Sequence, residues 1–196
     1  MSAEQVVLLS PDGEAIGTAD KATVHTTDTP LHLAFSCYVF RVVDGAGQLL
    51  LTQRALDKPT WGGAWTNSAC GHPAPSEPLA DAVRRRVGQE LGLELGDLTL
   101  VLPGFGYRAV MAGTGVVENE LCPVFVATTT SEVAADPAEV EASRWVDWAS
   151  FRAEVLAGEA DVSPWCVQQV EALPAEPWSA PAADPAGLPP AAQPPG

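Results

Sequence analysis

Positive charge is what this sequence has least of. Ten lysines and arginines stand against 25 aspartates and glutamates in 196 residues, a formal net charge of −15. Nucleic-acid backbones are bound by basic surfaces, so this balance excludes nucleic acid as a partner. Only two of the cations are lysines, Lys21 and Lys58. An acidic protein that binds a small anion must gather its few cations at the anion, so their positions carry information. Long apolar runs are also missing. No stretch approaches the roughly 20 apolar residues of a membrane span, and no membrane partner is expected. The opening segment MSAEQVVLLSPDGEA has neither a basic start nor a long apolar run, so it does not read as a signal peptide. None of the four cysteines (Cys37, Cys70, Cys122, Cys166) forms a C-x-x-C pair, and a chain of this size does not need a disulfide framework. Reduced thiols and a cytoplasmic location are expected.

The remainder is an ordinary globular composition, 46% hydrophobic and 18% charged, with enough length for one well-packed domain. Residues 6–9 read as a first strand, closed by the turn Ser10-Pro11-Asp12-Gly13. Residues 33–43 are rich in strand formers, and Asp44-Gly45-Ala46-Gly47 reads as a hairpin turn into Leu49–Gln53. The clearest helix spans 77–91, with Ser76 as N-cap, Pro78 in the first turn and Gly92 as terminator. Leu79, Val83, Val87 and Leu91 form its core stripe, while Arg86 and Glu90 share a neighbouring face. Strands are predicted at 98–102, 105–111 and 116–130, with a short one at Trp145-Val146. A helix at about 147–157 follows. Ser163-Pro164 opens a last helix to about 172. Strands with helices between and after them indicate an α/β or α+β class. From Pro174 the composition turns to Pro and Ala. Such a tail buries little apolar surface against its ordering entropy, and residues 174–196 are expected to be disordered and outside the 1–173 domain.

Three histidines are the whole supply: His25 and His32 seven apart in HTTDTPLH, and His72 in NSACGHP. Imidazole suits transition-metal ions. Glu118-Asn119-Glu120 adds to this, because residues i and i+2 of a strand point to the same face. Two carboxylates crowded on an inward face repel each other, and a cation would relieve them. On an exposed face they would merely be solvated, although the following LCPVFVA favours burial. Cys70 sits beside His72, where a cation would favour its thiolate. It is a candidate acid or base. Residues 71–93 carry part of the Nudix pattern: Gly71, Glu77, Arg85, Val87, Glu90, Gly92 and Leu93 fall in place. Arg86 and Gln89 replace two glutamates that gather Mg²⁺ in diphosphate hydrolases, which weakens the case for hydrolysis while keeping the fold.

HTTDTPLHLAF, WTNSACGHP, GYRA around Tyr107, VENELCPVF and SPW together resemble type I isopentenyl-diphosphate isomerases, nearly without gaps from about residue 5 to 172. The resemblance implies a single-domain α/β fold, a Nudix-like mixed β-sheet sandwich flanked by helices. It implies interconversion of isopentenyl and dimethylallyl diphosphate through a tertiary carbocation, in isoprenoid biosynthesis. A Mn²⁺, Zn²⁺ or Mg²⁺ would be held by His25, His32, His72, Glu118 and Glu120. A Mg²⁺ would arrive with the diphosphate at Glu90 and the Cys70 main-chain oxygen, and no flavin is implied. Lys21, Arg54, Lys58 and Arg86 would bind the diphosphate. Cys70 and Glu120 would be catalytic, with Tyr107 assisting and Trp165 facing the cation. The sequence departs from the pattern at Gln53 and Pro59, where the resemblance implies basic residues. The substrate is a small molecule, and the enzyme is a monomer or homodimer. The rivals are a Nudix diphosphohydrolase and a non-catalytic, metal-stabilised binding module. The first would need the carboxylates missing at 86 and 89. The second would not require Cys70, Glu120 and Tyr107 together.

Overall fold

In the computed structural model of the protein, residues 4–193 are described. Residues 1–3 of the expected amino-terminal segment and 194–196 of the expected tail lie outside that range. Two sheets carry the architecture. The first holds β1 (Gln5–Leu9), β2 (Ala15–Asp20), β3 (His32–Leu33), β9 (Gly106–Val110) and β10 (Val117–Leu121), in the order β2-β1-β3-β10-β9. The second is built on β12 (Val140–Asp147), β5 (Ala46–Arg54), β4 (Phe35–Val43), β11 (Val124–Thr128) and β8 (Leu98–Leu102), in that order. Short β6 (Trp65–Thr66) pairs with β5, and β7 (Ala69–Gly71) pairs with β4. This is the mixed-sheet α/β class expected.

The chain passes from the first sheet to the second twice, at Ala34 and at Cys122-Pro123. The two crossings run side by side: Ala34 N donates to Leu121 O (2.9 Å) and Ser36 N to Pro123 O (3.1 Å). Strand pairing is parallel on both sides of them, β3 with β10 and β4 with β11. This is why the single strand predicted at 116–130 is two strands. Pro123 lacks the N–H a continuing ladder would need.

From Phe35 to Phe40, β4 is buried on both faces, which explains its mostly apolar sequence there. Phe35, Cys37 and Val39 point into a core with β1, β3 and α1 (Leu79–Leu91). Tyr38 and Phe40 point the other way, toward α2 (Trp148–Leu156) and α3 (Pro164–Ala172). The predicted stripe of α1 is buried throughout, each such side chain contributing ~1.5–3 kcal/mol. Ser76 does not cap α1. It sits at positive φ in the preceding turn, and the helix begins after Pro78 with no side-chain cap. Gly92 ends the helix in the left-handed conformation, where a Cβ would also lie 2.8 Å from Ala134 O. Asp147 caps α2 and Ser163 caps α3.

The tail departs from expectation. Residues 174–193 lie against the domain and make three short 3-10 turns. Trp178 stacks on Phe40, with centroids 5.3 Å apart, and covers Gly47. The Trp148 indole donates to Ala175 O (2.8 Å), Leu188 is buried, and Ala191 N donates to Gly13 O (3.0 Å). Prolines already restrict the backbone, so ordering this segment costs less entropy than its composition suggested. Trp178 and Leu188 supply the apolar anchors. Among the described residues, no helix is long and apolar enough to cross a membrane.

Candidate active site

Strand register assembles the first part of the site. Glu120 lies opposite His32 on β3 and opposite Tyr107 on β9, so three adjacent strands deliver an imidazole, a carboxylate and a phenol in one row. Glu118 and Glu120 share a face, as the i, i+2 spacing requires, and both are buried. Asn119 points away and donates to Thr29 O (3.1 Å). The inward reading of ENE therefore holds over the solvated one.

Ligand atoms of His25, His32, His72 and Glu120 all lie within 4.8 Å of one another. The His32 Nδ1–H donates to Pro30 O (2.9 Å), which fixes the tautomer and leaves the Nε2 lone pair turned to the cluster. The Nε2 atoms of His25 and His32 are buried without a hydrogen-bond partner. Buried lone pairs converging on a carboxylate suit a divalent metal ion, and this donor set fits one. Glu118 stands beside this group, its Oε2 2.9 Å from His25 Nε2. Burial alone would raise the Glu120 carboxyl, but the adjoining His32 and His72 imidazoles hold it well below the usual carboxylate range. Burial lowers His72. Burial would lower His32 too, but the nearby Glu120 carboxylate carries it upward.

β7 brings Cys70 opposite Ser36 of β4. Its Sγ lies 3.3 Å from Ser36 Oγ and donates to Asn67 Oδ1 (3.3 Å). Burial pushes the thiol up to about 11, so it holds its proton at neutral pH. Gly71 must lack a side chain, because a Cβ would lie 2.9 Å from the Phe35 ring and 3.0 Å from Arg86 Cγ. The Nudix-pattern pair Glu77 and Arg85 is structural. Two 2.7 Å bonds join the side chains, and Arg85 also reaches His72 O (3.4 Å). This ties the loop after His72 to α1.

These elements enclose a cavity of about 540 Å³. Cys70, His25, His72, Glu118, Glu120, Tyr107, Trp165, Glu90, Lys21, Arg54, Lys58 and Arg86 all line it. His32 alone of the expected residues lies behind the wall, fully buried. Trp165 packs against Tyr107 (5.6 Å between centroids) and edge-on to Trp61 (5.4 Å), forming an aromatic wall. Burial together with the Glu120 and Glu118 charges keeps Tyr107 protonated. Arg86 and Glu90 are buried and paired with each other, and burial raises the Glu90 carboxyl. Pro59 also lines the cavity, whereas Gln53 turns aside and donates to Gly63 O (2.9 Å).

Sequence reasoning missed Asn67, Gln169 and Glu139. Asn67 Oδ1 accepts from Thr66, Cys70 and Trp165. Its place three residues before Cys70 was visible, but the contact to a residue 98 positions away was not. Gln169 donates to Ser36 Oγ (2.9 Å) and accepts from Tyr38 (3.0 Å), which backs the Cys70 side of the cavity. Glu139 lines the cavity between two cations, with no local signal in its sequence context.

Residues 30–166 match the family model for the NUDIX domain. The isopentenyl-diphosphate Delta-isomerase of Saccharopolyspora erythraea is 64% identical over 192 residues, covering 96% of this chain and 97% of the relative. The protein of the same name from Frankia alni is 56% identical over 170 residues, covering 87% and 86%. Among solved structures, one from Deinococcus radiodurans superposes with a TM-score of 0.63 at 16% identity, over 86% of this chain and 98% of its own. A MutT NUDIX hydrolase from Burkholderia pseudomallei gives 0.51 at 23%, over 72% and 96%. At such identities these two show the fold alone.

Proposed function

From the premise that this chain belongs to the isopentenyl-diphosphate Delta-isomerases, a family built on the NUDIX domain, we propose how its cavity carries out the reaction. The protein is an isomerase of isoprenoid biosynthesis, interconverting isopentenyl and dimethylallyl diphosphate. The reaction adds a proton to one carbon and removes one from another. It therefore needs two titratable groups around one substrate. The observation that carries the assignment is that Cys70 and Glu120, a thiol and a carboxylate, line the same cavity; burial favours a held proton on the thiol, and the adjoining imidazoles favour the ionised carboxylate. Between them they hold one transferable proton. One group delivers a proton to the alkene and the other accepts one from the allylic carbon, and the roles exchange in the reverse reaction. The protonated Tyr107, opposite Glu120 in register, orients that carboxylate.

The intermediate between the two transfers is a tertiary carbocation, which water would quench. The Trp165 ring face suits it, worth ~2 kcal/mol when desolvated, and the half-buried Trp61 and Tyr107 rings packed on it shield that side of the cavity from water. Lys21, Arg54, Lys58 and Arg86 seat the diphosphate, so the five-carbon chain extends from them toward Cys70 and Glu120.

His25, His32, His72 and Glu120, with Glu118 beside them, would hold a Mn²⁺, Zn²⁺ or Mg²⁺. Glu90 would meet a Mg²⁺ arriving with the diphosphate. Bound there, the ions supply positive charge that favours the ionised Glu120 and neutralises phosphate oxygens. A cytoplasmic enzyme acting on a free small molecule fits the four unpaired thiols.

The purified protein with isopentenyl diphosphate and Mg²⁺ should yield dimethylallyl diphosphate and no released phosphate. Phosphate release without the isomer would return the protein to the hydrolase reading.

A further inference from the structure

None of the four cations at the cavity is free. Lys21 Nζ lies 2.6 Å from Glu4 Oε2, and Arg54 donates to Thr60 O at 3.1–3.2 Å. Lys58 Nζ lies 2.7 Å from Glu139 Oε2, and the same oxygen lies 3.3 Å from Arg86 Nη2. Against four formal positive charges stand Glu4, Glu90 and Glu139, so a seat for a multiply charged anion is almost neutral before the anion arrives. One carboxylate oxygen shared by a lysine and an arginine is also the contact a phosphate oxygen would make. Glu139 is not buried in this role. Its side chain is 27% exposed at the cavity surface. Its main chain is fixed, since Ala55 N donates to Glu139 O (3.0 Å) and Glu139 N to Asp136 O (2.9 Å). The side chain can swing out while the backbone stays.

We propose that Glu139 stands in for a phosphate oxygen: its carboxylate holds Lys58 and Arg86 at the spacing the diphosphate takes over, and the diphosphate binds by displacing it. This rests on the reading of Lys21, Arg54, Lys58 and Arg86 as the diphosphate seat. The device keeps two long cationic side chains ordered when no substrate is bound. It also lowers ground-state affinity without touching the reacting carbons, which favours turnover over tight retention of either isomer. Glu4 and Lys21 form a similar pair, but Glu4 is 59% exposed and the pair is accordingly weaker.

The test is calorimetric titration of the full chain with inorganic pyrophosphate, with no divalent cation added, comparing wild type with Glu139→Gln and, should that variant fold poorly, Glu139→Ser. Removing one partly exposed competitor should tighten pyrophosphate binding about threefold to tenfold, with a smaller gain in Glu4→Gln. KM for isopentenyl diphosphate at saturating Mg²⁺ should fall in the same direction. Weaker pyrophosphate binding in Glu139→Gln would make Glu139 only an organiser of the cations. Unchanged binding would overturn the idea outright, and if joined to a raised Mg²⁺ requirement it would make Glu139 a cation ligand. Lys58→Ala separates the two layers. If it binds pyrophosphate as well as wild type does, the seat itself is misassigned. If it binds worse while Glu139→Gln shows no gain, only the present inference fails.

Discussion

Three donors converge on the Asn67 side-chain oxygen: the Thr66 hydroxyl at 2.8 Å, the Trp165 indole at 3.2 Å and the Cys70 thiol at 3.3 Å. The amide nitrogen is held in turn by Cys37 O and Ala69 O, so the oxygen cannot swing away. One residue thus sets both the Cys70 thiol and the ring proposed to face the carbocation. Asn67→Ala should leave the indole N–H buried without its acceptor, at a cost of about 1–3 kcal/mol. Because the diphosphate seat is elsewhere, steady-state kinetics should show kcat falling well below wild type with KM little changed. A matched rise in KM would mean that the variant merely loosens the fold. At this scale the sequence was informative wherever chemistry is concentrated in a residue type. Two of the three histidines, both lysines and the ENE pair line one cavity, with His32 directly behind its wall. It was silent where a residue acts through a distant partner, as Asn67 does through Trp165 and Glu139 through Lys58 and Arg86.

α3 shows how an element delivers a single ring. Ser163 Oγ accepts from Cys166 N (3.4 Å) and pairs with Thr66 Oγ1 (2.7 Å), while Ser163 N donates to Trp65 O (2.8 Å). The first turn of α3, which carries Trp165, is therefore tied to the strand leading to Asn67 and Cys70. Ser163→Ala should cost about 1 kcal/mol as a lost cap, lowering Tm by roughly 2–4 °C for a chain of this size. It should also reduce kcat, and a thermal melt with kinetics on the same preparation separates the two effects. A loss of stability with no loss of kcat would show that the turn does not position the ring. This helix start was readable because Ser-Pro is a local cap signal. The start of α1 was misread at Ser76, where the turn preceding Pro78 takes the serine to positive φ. β2 escaped notice because Ala15–Asp20 is largely exposed and has no alternating pattern. β12 looked short because its exposed positions hide the period, Arg144 lying over the Trp65 ring rather than pointing into water.

Across the whole molecule, the largest departure from the sequence reading is the carboxyl-terminal strap. Composition argued for disorder over 174–196, yet Trp178 and Leu188 pin the described part to opposite faces of the second sheet. Two anchors in a proline-stiffened segment are enough, and a count of residue types does not register them. Ending the chain at Leu173 should expose Phe40 and the Leu188 site. Burial of one large apolar side chain contributes ~1.5–3 kcal/mol, so the truncated protein should melt about 5–10 °C lower by calorimetry. Its kcat should be close to wild type, since no described residue beyond 173 lines the cavity. An unchanged Tm would show that the strap adds nothing. The two-sheet domain, by contrast, was legible in outline, because β4, β5 and β11 are apolar on both faces and α1 carries an unbroken stripe.

The central claim is that one proton enters and another leaves a substrate held between Cys70 and Glu120. Both groups exchange with solvent once product departs, so the reaction should record the isotope of the water. Isopentenyl diphosphate incubated with the protein and Mg²⁺ in D₂O, followed by NMR, should give dimethylallyl diphosphate bearing deuterium in its new methyl group, and Cys70→Ala should give almost none. Dimethylallyl diphosphate formed without deuterium, or formed at near-normal rate by Cys70→Ala, would contradict the account.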